Sequence, residues 1–271
     1  MNDNHAPSPW LIDVAEAALH HWSPLQRRWN GRDAVPQALT VLDVHQTASP
    51  LTAAAIAEDW VGVLAGADRL DAAASALPPD RRSVVQQVRS VILQPLRAEA
   101  LARLGRVAEA EALIAPTPMD CDRCLTVRGV VAEAAGDRAA ADRWFAEAAR
   151  LTPSLPRARL VWGRARLARG DLDGAIRLFR QAEERGPRWA DPLKYEGDAL
   201  AAGRDWDGAL SRYAAAAERA PRWGALHLAW GRALAASGNR DDALAKWRAA
   251  AAMDLSAADR AEVQRLLGPH A

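Results

Sequence analysis

Two cysteines, Cys121 and Cys124, stand three apart in the run Met119-Asp120-Cys121-Asp122-Arg123-Cys124, and the 271-residue chain has no others. C-x-x-C spacing suits thiol–disulfide exchange or half of a zinc site. A structural zinc ion needs four ligands, and the chain holds no second C-x-x-C and no H-x-x-x-H. Thioredoxin-like exchange wants a βαβ setting, which the pattern here lacks. The plain alternative is that both thiols open a helix and pack against the preceding element, since cysteine is among the most buried residue types. His20 and His21 are adjacent, so on a helix they point to different sides and cannot grip one ion together. His227 has no carboxylate or nucleophile held near it by the sequence pattern and reads as a packing or groove residue, not a base. G-x-G-x-x-G, the P-loop, the nucleophile elbow and the zincin helix are all absent. No catalytic residue, cofactor site or metal site is therefore assigned, and the chain is read as no enzyme.

Composition narrows the partners. Formal net charge is +1, so no overall field draws in nucleic acid or a membrane surface. Lys194 and Lys246 are the only lysines, and arginine carries the rest of the positive charge. An Arg/Ala-rich, Lys-poor chain fits a GC-rich, bacterial genome. No run of eighteen apolar residues could span a membrane, and Met1-Asn2-Asp3-Asn4-His5 lacks the basic and apolar segments of a secretory signal. A cytoplasmic location is expected.

The elements that must position any site are legible from a repeat. Gly129, Gly163, Gly197 and Gly231 recur every 34 residues. Each is followed by an alanine (Ala141, Ala175, Ala209, Ala243), an aromatic (Phe145, Phe179, Tyr213, Trp247) and a second alanine (Ala148, Ala182, Ala216, Ala250). Pro153, Pro187 and Pro221 close three units, and Leu255 takes that place in the fourth. Each unit carries two runs of helical periodicity parted by a short turn, as in 157–168 and 172–184 around Gly170-Asp171. A glycine on the first helix lets the second approach, and the two alanines flank the aromatic on one face, a socket and a plug. At these residues the chain resembles the tetratricopeptide repeat family, whose pattern is a 34-residue helix–turn–helix with this order of small, aromatic and proline residues. The resemblance spans about half the chain. It implies an all-α, right-handed α-solenoid of helical hairpins, with a concave face lined by first helices that holds a ligand.

Along the chain, residues 1–8 are read as a frayed N-terminus and 9–79 as degenerate hairpins of the same kind. In that stretch a helix opening at Ser49-Pro50 is ended by Gly66-Ala67-Asp68, and 71–77 forms its partner. Residues 80–121 are read as a divergent unit: a first helix to about Leu104, kinked or split by Pro95, and a second over 108–115. Regular units follow at 122–155, 156–189, 190–223 and 224–257. In the third, Gly203 comes one place earlier than Gly136, Gly170 and Gly238, so its turn should differ. Ser256, with Asp259 three residues on, resembles a capping box before a final helix over 257–267, and residues 258–271 are read as capping helix and tail.

Helical geometry places one set of positions on the inner face of the first helices: Arg123, Thr126, Val130 and Glu133, then Arg157, Leu160, Arg164 and Leu167. Asp191, Lys194, Asp198 and Ala201 follow, then Ala225, Leu228, Arg232 and Ala235. Arg123, Arg157, Arg164, Lys194 and Arg232 outnumber Glu133, Asp191 and Asp198, so the groove is expected to accept an acidic or C-terminal peptide segment, with Leu160, Leu167 and Leu228 giving apolar contact. Arg188-Trp189 and Arg222-Trp223 follow the linker prolines, either as a groove edge or as plugs between hairpins. Relatives that clamp a terminal carboxylate use lysine and asparagine where this chain has Val127, Val130, Val161, Arg164 and Tyr195, so that activity is not carried over. The reading is a non-catalytic adaptor or scaffold for a protein or peptide partner. Its rivals are a regulatory subunit or sensor for a partner enzyme, and a structural subunit that assembles through its ends or convex face.

Overall fold

The computed structural model describes Ala54 and residues 59–75 and 89–268. The expectations for 1–53, including His20 and His21, and for the proline pair Pro78-Pro79 lie outside the described residues. Among the described residues there are twelve α-helices and no strand. They fall into two compact units, 1–153 and 154–271.

The first unit contains α1 (Trp60–Ser75), α2 (Gln94–Arg103), α3 (Val107–Ile114), α4 (Asp122–Ala134) and α5 (Arg138–Leu151). α1 packs on α2, α2 on α3 and α4, and α4 pairs with α5. Here one expectation is corrected. Gly66-Ala67-Asp68 does not end a helix: α1 runs through it unbroken, so 60–75 holds one helix and no hairpin. Gly66 and Ala67 are buried, and Val63, Ala67 and Leu70 share a cluster with Leu93, Leu96 and Ala100. Burial of that face outweighs the cost of about 1 kcal/mol that glycine imposes inside a helix. Just before Pro95 the helix changes type without interruption. A π-helical turn over Arg89–Leu93 gives way to α2, with Pro95 in the first turn, where a missing N–H costs nothing. α3 ends in the grip of Arg128, whose guanidinium donates to the carbonyls of Ile114, Ala115 and Thr117 at 2.7, 3.2 and 2.9 Å.

The second unit contains α6 (Arg157–Ala168), α7 (Leu172–Arg185), α8 (Asp191–Ala202), α9 (Trp206–Arg219), α10 (Gly224–Ala236), α11 (Arg240–Ala251) and α12 (Ala257–Leu267). The helices pair as α6/α7, α8/α9 and α10/α11. Each second helix packs on the next first helix, and the first helices α6, α8, α10 and the cap α12 touch in series. This is an all-α stack of helix–turn–helix hairpins. Its spacing is set where the repeat columns meet. A Cβ placed on Gly163 would lie 2.5 Å from Phe179 Cε1, on Gly197 2.7 Å from Tyr213 Cε1, and on Gly231 2.4 Å from Trp247 Nε1. The α4/α5 hairpin of the first unit repeats this, with Gly129 2.4 Å from Phe145 Cε1. No side chain fits there.

The turns inside the hairpins share one chemistry. Gly136, Gly170 and Gly238 hold positive φ, and the next residue donates its N–H five residues back, as in Asp171 to Arg166 O at 3.0 Å. That next residue then opens the second helix. Asp137, Asp171 and Asp205 accept from the N–H three residues on at 2.8, 2.9 and 3.0 Å. The third turn does differ: Gly203 is right-handed, and Arg204 takes the left-handed place at φ 62°. Ser256 caps α12 by accepting from Asp259 N at 3.1 Å, and Val263 buries that helix against the last hairpin.

The glycine sockets yield a first prediction. Gly163→Ala should lower the stability of the chain by about 1–3 kcal/mol through overpacking against Phe179. In urea titration followed by circular dichroism, Phe179→Leu should recover part of that loss when combined with it. An unchanged midpoint for Gly163→Ala would show that the socket is not tight.

Candidate functional site

The face under consideration belongs to the second unit and is made by α6, α8 and α10 lying side by side. Helical repetition brings Arg164 of α6 and Lys194, Tyr195 and Asp198 of α8 together, while Trp223 enters from the linker before α10. Tyr195 is at the middle. Its ring stacks on Phe179 with centroids 6.0 Å apart. The Arg164 guanidinium lies 4.7 Å from the Tyr195 centroid and the Lys194 ammonium 4.3 Å, so two cations share one aromatic ring. Lys194 also lies 6.0 Å from the Trp223 ring.

Carboxylates balance these cations. Lys194 Nζ donates to Asp198 Oδ2 at 2.7 Å, and the hydroxyl of Tyr213, from α9, donates to Asp198 Oδ1 at 2.9 Å. The Lys194 side chain keeps only 13% of its exposure. Burial alone would lower its pKa, but Asp198 and Tyr195 outweigh burial and hold it above the ordinary lysine value, so the ammonium stays charged. Burial, with Asp198 beside it, raises the Tyr213 hydroxyl, which stays a donor. Asp191, in the first turn of α8, is pushed up by burial and drawn partly back by Arg164 and Lys194. Two cations thus lie against the Tyr195 ring, and Asp198 and Asp191 act on those cations.

The positions expected on the face differ in exposure. Arg164, Leu167, Asp191, Lys194 and Asp198 are partly exposed, and Arg232 is exposed. Leu160 and Leu228, expected to give apolar contact, are instead core: Leu160 packs with Phe179 and Ala199, and Leu228, 1% exposed, packs with Trp247 and Val263. Arg157 is buried as well. Leu160 is enclosed by α7 and α8, and Leu228 by α11 and α12. Arg123 stands half-buried on α4 of the other unit. Arg232 is engaged by the cap: its guanidinium holds Glu262 of α12 through both carboxylate oxygens, one contact at 2.8 Å. The hydrogen bond from Arg232 draws the Glu262 carboxyl below its ordinary pKa.

The linker tryptophans act as plugs. Trp189 packs against the Phe179 cluster and Trp223 against the Tyr213 cluster, each half-buried, while Arg188 and Arg222 remain exposed. His227 is buried, stacks on Trp230 and hydrogen-bonds Pro221 O at 3.0 Å through Nε2, and burial lowers its pKa. Sequence reasoning gave too little weight to Tyr195, which lies next to Lys194 and off the four-residue stripe used to define the face. The 31-residue interval from Arg164 to Tyr195 was the available signal. It also missed Glu196. That residue is fully buried behind the face, where Arg180 donates to it at 2.8 Å and Arg212 approaches at 3.3 Å, tying α7 and α9 to α8.

Three solved structures are similar to this one at low identity. MamA (residue 41 to the end) from Desulfovibrio magneticus RS-1 is 16% identical over 59% of this chain and 93% of its own, with a TM-score of 0.47. MamA of AMB-1 is 18% identical over 61% and 99%, with a TM-score of 0.43. YrrB, described as a TPR protein with an unusual peptide-binding site, is 17% identical over 69% and 98%, with a TM-score of 0.45. No protein-family model matches the chain, and no curated protein matches it.

Two expectations follow from the pairings. Asp198→Ala strips the carboxylate from both Lys194 and Tyr213, and should cost about 1–3 kcal/mol in urea titration. A loss below experimental error would show that the pairings carry no weight. Glu262 has a folded pKa below its unfolded value, so its contribution is fully present above the unfolded pKa and is lost as pH falls through the folded one. The pair is partly exposed, so the effect is under about 1 kcal/mol. Between pH 6 and pH 3, wild type should lose more stability than Glu262→Gln; equal losses would contradict the assignment.

Proposed function

We propose that this tetratricopeptide-repeat chain is a non-catalytic adaptor that holds a segment of a partner protein against the face of α6, α8 and α10. The observation that carries the reading is the Tyr195 cluster. Arginine, lysine and aromatic side chains, held by stacking, cation–π contact and the Lys194–Asp198 pair, form a half-exposed patch on these helices. Interface hot spots have this composition, and a patch already ordered in the free chain loses little side-chain entropy on binding.

The charges refine the ligand. Lys194 and Arg232 already have internal carboxylate partners in Asp198 and Glu262, so an acidic ligand must compete with those pairs. We assign the anion-recognising role to Arg164, held over the Tyr195 ring on the face, and to the exposed Arg188 and Arg222 at its edge, with Tyr195, Leu167, Trp189 and Trp223 giving apolar contact. The fitting ligand is an extended segment with one or two carboxylates beside an apolar side chain, rather than a densely acidic one.

Selection from a displayed random-peptide library against the full chain tests this. A recovered peptide should bind Arg164→Glu at least tenfold more weakly than wild type, with circular dichroism of the variant unchanged. Arg188→Glu/Arg222→Glu should weaken it by a smaller factor. Selection that yields no binder, or a binder indifferent to Arg164→Glu, would reject the assignment.

A further inference from the structure

We propose that Cys121 and Cys124 form a reversible thiol–disulfide exchange site whose co-reactant is a dithiol. The two sulfurs are bonded, with Cα atoms 5.2 Å apart, across the first turn of α4. A bond between residues three apart closes a very short loop and so restrains the unfolded chain little, which makes it a poor structural staple. Nor does it join α4 to any other helix. Its surroundings instead serve both oxidation states.

Cys121 is the N-cap of α4, and its sulfur accepts the Cys124 N–H at 3.1 Å. A thiolate at that place would keep this hydrogen bond and lie at the positive end of the helix dipole. On the other side, Cys121 Sγ lies 4.0 Å from the carbonyl oxygen of Val91, and Cys124 Sγ lies 3.8 Å from that of Ser90. Both carbonyls belong to the π-helical turn 89–93. In the dithiol form each S–H therefore has an acceptor within reach, so reduction leaves no polar hydrogen stranded in the core. π-helical turns recur at functional positions, and this one is the only such element among the described residues.

Access fixes the order of events. Cys124 is fully buried, whereas Cys121 keeps 9% of its surface beside the exposed Asp120 and Met119. A thiolate of the incoming dithiol attacks Cys121 Sγ, the S–S bond breaks, and its electron pair passes to Cys124, which takes a proton. The second thiolate of the reagent attacks the reagent's own sulfur in the mixed disulfide and releases Cys121 as a thiolate held by the Cys124 N–H, which then takes a proton. The protein gains two electrons and two protons, and the dithiol leaves as a disulfide. The new S–H donors bind the π turn, so the turn is the element that registers the oxidation state.

The test uses the full chain. It is treated with dithiothreitol in native buffer, acid-quenched, and alkylated in urea. Two alkyl groups, on Cys121 and Cys124, are expected, and oxidation of the reduced chain with diamide should restore the internal disulfide in a monomer. Hydrogen–deuterium exchange should slow at 89–93 in the reduced chain. The proposal fails if native treatment gives no alkylation while reduction in urea gives two groups, or if diamide joins separate chains instead. Unchanged exchange at 89–93 would overturn the role of the π turn.

Discussion

An aromatic ring seated on a glycine is the contact on which the hairpins depend. At Gly163, Gly197 and Gly231 the first helix offers bare backbone, and Phe179, Tyr213 or Trp247 fills the space that a side chain would take. That seat sets how near two helices lie, and the alanines around the ring, such as Ala175 and Ala182, let the rest of the second helix follow. Once the distance is fixed, each second helix has a defined surface on which the next first helix rests. The face of α6, α8 and α10 is a consequence of that spacing. Its side chains are close enough to interact because the hairpins beneath them are tight.

On this repeating frame the non-repeating residues carry the individuality. The place just before each glycine holds Arg128, Trp162, Glu196 and Trp230. Arg128 closes the end of α3, with Trp144 beneath its guanidinium. Trp162 and Trp230 lie under Arg166 and Lys246, and Glu196 is clasped by Arg180 and Arg212. One position in one fold thus does three different jobs, each decided by what the neighbouring helix brings. The charges on the face behave in the same way. Counted along the chain they are mostly basic, but in space Asp198 and Glu262 reach the lysine and arginine that a ligand was expected to meet.

Departures from the repeat are concentrated in the first unit. α1 keeps Gly66 inside an unbroken helix because its buried face outweighs a local preference for ending. Before α2 the backbone widens into a π-helical turn, and the paired sulfurs of Cys121 and Cys124 lie against its carbonyls. Local rules mark Pro95 as a kink or split, and the helix there changes from π to α. They do not say that the chain approaches it through a π turn, because that depends on packing against α4.

The hairpins from Asp122 onward, the places of their turns, the glycine sockets and the closing helix were legible from residue order, because each is decided within some thirty residues by periodicity, φ preference and side-chain size. Asp171 caps a helix, and Gly170 turns the chain before it, whatever lies further away. The burial of Leu160 and Leu228, the use of Tyr195 as a shared platform and the capture of Arg232 by Glu262 were decided only in three dimensions. A stripe on a helical wheel says which residues share a side of one helix. How much of that side a neighbouring helix covers, and which charge it carries there, depends on the distance and rotation between helices, and those are set by packing.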